Sequence, residues 1–195
     1  MSEAIAEEKT LLRKTTVGFW GYLMTDCMLF ASLFATYVVL RPATAGGPAG
    51  KEIFDLPLVL VETIILLASS FACGIVLIGM RNRNIKQMMI GFVATYILGV
   101  AFLTIEISEF IMLIAEGHGP QQSAFLSAYF TLVGTHGLHI FVGLLWLLVL
   151  FAVLMKRGLT SKLSRQVTLF GLFWHFLDLV WIFIFTVVYM TGVLV

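Results

Sequence analysis

The segment "GTHGLHIFVG" carries His136 and His139 three residues apart, "EISE" carries Glu106 and Glu109, and "HFLD" carries His175 and Asp178. Residues three apart share one face of a helix, so each pair could present two ligands side by side. Histidine and carboxylate together bind zinc and non-haem iron, and two histidines from facing helices can clamp a haem. With Asp26 and Glu62 on two further apolar runs, the set raises two chemistries: a metal site built from several helices, or a bis-histidine haem between the fourth run and His175 of the fifth. The spacing counts against the first. Di-iron bundles set a Glu-x-x-His pair on each of two helices and a lone Glu on each of two others, whereas the pairs here are E-x-x-E, H-x-x-H and H-x-x-D.

The elements that must position these residues follow from composition. The 195 residues are 60% hydrophobic and 12% charged, with a mean hydropathy of +1.02, against about 25% charged in ordinary soluble domains. That is the composition of an all-α membrane protein. About 20 apolar residues cross a hydrocarbon core of about 30 Å. Five runs qualify, at approximately 16–40, 57–80, 87–115, 124–155 and 166–192. They predict a five-transmembrane-helix bundle, a single membrane domain over 1–195 with a polar cytoplasmic N-terminus at 1–15. That N-terminal stretch lacks the apolar core and cleavage site of a secretory signal, so it is expected to be retained. A formal charge of +1 leaves no basic excess for nucleic acid. Cys27 and Cys73 lie apart inside apolar runs and read as small packing residues, not as a disulfide or a C-x-x-C motif.

The connectors are short, and "RPATAGGPAGKEIFDLP" alone is rich in Pro and Gly. Lys9, Arg13, Lys14, Arg81, Arg83, Lys86, Lys156, Arg157, Lys162 and Arg165 fall on one side of the five runs, against Arg41 and Lys51 on the other. The positive-inside rule then places the N-terminus in the cytoplasm and the C-terminus in the periplasm. The sequence has neither an internal repeat nor a pair of Gly/Pro-broken helices, which counts against a small proton-coupled transporter.

Asp26, Glu62, Glu106, Glu109, His136, His139, His175 and Asp178 all lie within spans, with no Lys or Arg at their depth. Each costs at least about 2.5 kcal/mol at the membrane centre, so these groups are expected to turn inward and share protons or hydrogen bonds. Counted along the helices from the outer side, Glu62 and Glu109 lie about 8–9 Å in and Glu106 about 14 Å. His136 lies about 18 Å in, Asp26, Asp178 and His139 about 21–23 Å, and His175 about 26 Å. Ligands of one ion must converge to about 2 Å from it, which this spread opposes. The eight residues are instead candidates for an interhelical polar network, with Glu106 and Asp178 the carboxylates nearest in depth to His136 and His139. No catalytic, cofactor-binding or metal residue is assigned.

The stretches "GFWGYLMTDCMLFASLFATYVVL", "ETIILLASSFACG", "SAFLSAYFTLVGTHGLHIFVG" and "LFWHFLDLVWIFIFTVVY" resemble subunit III of the haem-copper terminal oxidases. Among these they are most similar to the five-helix branch found in bacterial bo-type ubiquinol oxidases. The resemblance runs from about Gly18 to Tyr189, with "THGLH" and "WHFLD" its most specific parts. It implies a non-catalytic subunit of the bacterial inner membrane that supports assembly and stability, with phospholipid and a large catalytic subunit I, among other oxidase subunits, as partners. The haems and copper are then expected on that large subunit and no cofactor on this chain. The implied complex oxidises ubiquinol, reduces oxygen to water and pumps protons. Related cytochrome c oxidase subunits carry seven helices, the first two without a counterpart here, and a glutamate where "MTDCM" has Asp26. In them the two groups of helices form a cleft that holds phospholipid, so lipid binding here is expected to involve another subunit or to be lost. Alternatives are a subunit III of a cytochrome c oxidase, a stand-alone intramembrane metal or haem enzyme, or the transporter.

Overall fold

"SEAIAEEKTLLRK" consists of good helix formers without Gly or Pro, and it continues the first apolar run backwards, so that α1 spans Ser2–Leu40. The computed structural model describes the backbone over residues 2–194 and side chains over 14–193. The polar 1–15 segment is therefore helical from Ser2, while most of its side chains and Met1 lie outside the described residues. Pro42 stops α1 by excluding the helical conformation from the residue before it. The loop then turns through Ala45 (φ 53°) and Gly46 (φ 79°) and makes one short turn, α2 (Gly50–Ile53).

The remaining long helices have readable boundaries. Pro57 lies in the first turn of α3 (Leu56–Arg81), where a missing N–H costs nothing. Asn84 accepts a hydrogen bond from the Gln87 N–H at 3.2 Å and caps α4 (Ile85–Ala115). Ser123 accepts from the Leu126 N–H at 3.1 Å and caps α5 (Ala124–Arg157), which Gly158 ends at φ 66°. Thr160 accepts from the Leu163 N–H at 3.2 Å and caps α6 (Ser161–Ile184). These oxygens satisfy N–H groups that a helix start leaves free. Past Ile184 the chain winds through a π-helical turn (Phe185–Met190) into α7 (Thr191–Leu194).

Five helical segments are long and apolar enough to cross a membrane: Lys14–Leu40, Leu56–Arg81, Ile85–Ala115, Ala124–Arg157 and Ser161–Val193. α3 packs on α4 and α6, and α5 on α4 and α6, which closes a four-helix ring; α1 lies outside it against α5 and α6. Close approach is made by small residues, as expected where lipid offers helices no hydrophobic drive to associate. A Cβ added to Gly91 would lie 2.7 Å from Val76 Cγ2 and 3.0 Å from the Val76 nitrogen, so α4 touches the α3 backbone there. A Cβ on Gly143 would lie 2.8 Å from Trp174 Cζ3, which seats the indole between α5 and α6. At the other end the Arg41 guanidinium donates to the Thr191 carbonyl and, at 3.3 Å, to its hydroxyl, tying the end of α1 to α7.

Candidate functional site

The polar side chains of the spans form three groups. The first fills the half of the bundle near the 41–55 loop. Glu62 of α3 and Glu106 and Glu109 of α4 are buried at 0, 2 and 7% exposure and stand close enough to act on one another electrostatically. Tyr129 of α5 donates its hydroxyl to Glu109 Oε1 at 3.2 Å and meets the Tyr189 hydroxyl at 3.0 Å. Tyr189 lies in the π-helical turn, a wider winding that recurs at functional positions. Phe54, from the loop, covers the group with ring centroids 4.9 Å from Tyr189 and 5.1 Å from Tyr129. Gly50 and Gly192 make room for it, since a Cβ on either would lie within 2.9 Å of the Phe54 ring. Both oxygens of Glu62 and of Glu106 lack a hydrogen-bond partner among the described residues.

The second group lies deeper and is mostly aromatic. His136 is fully buried, stacked on Trp181 at 5.3 Å and met edge-on by Phe102 at 6.0 Å. Neither ring nitrogen has a hydrogen-bond partner among the described residues. One turn on, His139 donates its Nδ1–H to the Thr135 carbonyl at 2.7 Å and turns Nε2 to Asp26 Oδ2 of α1 at 3.7 Å. Trp181 and Trp174 each donate an indole N–H to a hydroxyl of α3, Thr63 at 3.0 Å and Ser69 at 3.1 Å, which fixes α6 against α3.

The third group opens outward. Ser70 Oγ is hydrogen-bonded to His175 Nδ1 at 2.7 Å, and Asp178 stands within electrostatic reach of both. These three line a groove of about 400 Å³ between α3 and α6 with Leu67, Phe71 and Gly74.

The eight candidate residues are thus divided among three places. Glu62, Glu106 and Glu109 come together; Asp26 joins His139; His175 joins Asp178 through Ser70; His136 stands among rings. Depth sets both Asp26 and Asp178 level with His139, and His139 faces Asp26; depth gives height along a helix and not direction around it. Tyr129, Tyr189, Thr63, Ser69 and Ser70 are the polar partners that a search for acids and histidines passes over. Trp174 and Trp181, seven residues apart on one helix face, are the sequence signal for two of them.

An ion or a haem needs ligands that converge on one space. Among the described residues no three or more His, Cys, Asp or Glu side chains stand so as to hold a metal ion. The fourth-span histidines and His175 do not face a common space: His136 is walled by Trp181 and Phe102, His139 turns to α1, and His175 is held at the α3 side of α6. Neither grouping fits those cofactors.

The fold and site define a five-span helical membrane protein whose polar side chains join helices in pairs and small groups. The family model for cytochrome c oxidase subunit III matches residues 5–193, and the chain belongs to that family. Cytochrome bo(3) ubiquinol oxidase subunit 3 of Pseudomonas aeruginosa is 57% identical over 180 residues, 92% of this chain and 86% of that one. The protein of the same name from Pseudomonas putida is 52% identical, covering 92% and 87%. A cytochrome c oxidase subunit 3 from Bacillus sp. (strain PS3) is 47% identical, covering 90% and 85%.

Proposed function

We propose that the chain is subunit III of a bacterial ubiquinol oxidase, a multi-pass inner-membrane subunit of an oxidoreductase complex that couples ubiquinol oxidation and oxygen reduction to proton pumping. The observation that carries this reading is the 57% identity to a ubiquinol oxidase subunit 3 across 92% of the chain. The subunit does no redox chemistry itself; the haems and copper sit on the large subunit I, against which this chain packs together with phospholipid and the other oxidase subunits. Its polar groups suit that division of labour in that they pair helices, as Trp174 and Trp181 do with Ser69 and Thr63. The N-terminus lies in the cytoplasm and the C-terminus in the periplasm, by the excess of Lys and Arg at one end of the spans. The network of Asp26, Glu62, Glu106, Glu109, His136, His139, His175 and Asp178 serves helix packing and assembly.

A tagged chain purified from gently solubilised membranes tests this. The expected product contains haem-bearing polypeptides and oxidises ubiquinol with consumption of oxygen. A chain recovered at full yield without haem or companion polypeptides overturns the reading. Oxidation of reduced cytochrome c in place of ubiquinol transfers the chain to the cytochrome c branch.

A further inference from the structure

The seam between α5 and α6 changes along its length. Deep in the bundle Gly143 lets the Trp174 indole seat between the two helices, but toward the basic end the seam opens into a groove of about 420 Å³. Its α5 wall is Val149, Val153 and Arg157, each four residues from the next, so one helix face passes from apolar to cationic over about 12 Å. Lys162 and Gln166 make the α6 wall, and Leu163, 1% exposed, lies beneath them. Only Gly158, Leu159 and Thr160 join the helices, and the positive φ of Gly158 turns the chain so that Arg157 and Lys162 flank one opening.

Neither cation is neutralised from within the chain. The acids of the described residues lie inside the spans or, as Glu52, Asp55 and Glu116 do, at the opposite end of the bundle. Arg157 and Lys162 are exposed where α5 ends and α6 begins, the headgroup level of a bilayer that both helices cross. Val153 and Val149 lie one and two turns below that level, among acyl chains. The connector between α3 and α4 is equally basic, with Arg81, Arg83 and Lys86, yet glycines close the helices beneath it. A Cβ on Gly79 would lie 2.9 Å from the Met88 nitrogen, and one on Gly91 2.7 Å from Val76 Cγ2. Charge is thus present at both connectors, and charge over an apolar groove at the α5/α6 connector.

We infer that this groove binds an anionic phospholipid, with the phosphate between the Arg157 guanidinium and the Lys162 ammonium and an acyl chain along Val153 and Val149. Both cations form charge-assisted hydrogen bonds with phosphate oxygens, and basic pockets between helices at the cytoplasmic face suit anionic headgroups. A free anion would leave the valine wall uncovered, and a zwitterionic lipid would bring its own ammonium toward two cations. The inference rests on the reading of this chain as an oxidase subunit with its basic end in the cytoplasm. It deepens that reading by giving lipid a seat on this chain alone.

The test uses the intact complex in phosphatidylcholine vesicles containing a minor share of phosphatidylglycerol with a diazirine on its acyl chain. Irradiation should label the 149–166 segment about tenfold more than the 76–91 segment. Arg157→Gln with Lys162→Gln should reduce that label about tenfold, while Arg83→Gln with Lys86→Gln, an equal loss of charge, leaves it unchanged. Val149→Trp keeps both cations and fills the apolar wall from a side chain already 59% exposed, and should reduce the label as well. Equal labelling by the same probe on phosphatidylcholine, or equal loss in the two charge variants, reduces the groove to a general basic surface and overturns the site. Absence of label from 149–166 overturns it too, by giving the groove to a polypeptide. Each of those results leaves the subunit reading standing, which fails separately if the unaltered chain recovers no oxidase polypeptide.

Discussion

The carboxyl cluster under Phe54 and the polar groove along α3 and α6 both bring acids and hydroxyls together, with different enclosure. Glu62, Glu106 and Glu109 are held by three helices and two tyrosines and sealed by a loop aromatic. Ser70, His175 and Asp178 are held by two helices, with Ser70 buried, Asp178 half-buried and His175 exposed. Both groups join helices of one chain, and the groove leaves His175 at the surface. What separates them is the surrounding residues: Gly79 and Gly91 carry backbone contact between α3 and α4, and Gly74 of α3 carries none at the groove.

Gly91→Leu breaks the comparison most sharply. Its side chain would push into Val76, so overpacking should cost about 3 kcal/mol and deplete the chain from membranes, as seen by immunoblot of membrane fractions. A Cβ on Gly74 would meet nothing within 4 Å, so Gly74→Leu in the same assay should leave the abundance of the chain unchanged. Trp181→Ala removes the indole that stacks on His136 and donates to Thr63. A comparable loss of about 3 kcal/mol is expected, read as a lower midpoint for dissociation of the subunit from the complex on heating.

Smaller changes sharpen the contrast. Tyr129→Phe deletes the hydroxyl between Glu109 and Tyr189. It should lower stability by about 1 kcal/mol, within the range for polar contacts between membrane helices, with turnover at saturating ubiquinol unaltered. Loss of turnover in a complex that keeps its haems would assign the cluster a part in the reaction. Asp26→Asn keeps a polar group opposite His139 and should cost about 0.5 kcal/mol, a small shift of the same heating midpoint.

Hydropathy and charge made the spans legible, because each must satisfy its own backbone in lipid and each connector must end it. The capping side chains of Asn84, Ser123 and Thr160 and the stop at Gly158 emerge only in the structure. Direction around each helix was not legible either. Depth sets His139 level with both Asp26 and Asp178; the packing of α1 against α5 gives His139 to Asp26, while Asp178 turns to α3. The π-helical turn holding Tyr189 has no sequence mark of its own, so the Tyr129–Tyr189 contact could not be drawn from spacing.

The placement of α1 outside the ring has a consequence for synthesis. Its partners are α5 and α6, the last long helices to be made. Asp26 and His139 are roughly 110 residues apart, so about 6 to 20 s of translation separates them. Throughout that interval α1, whose mean hydropathy of 1.8 is the lowest of the five spans, must remain in the bilayer with its carboxyl unmatched. A helix with an acid at its centre is then made long before the residue that faces that acid.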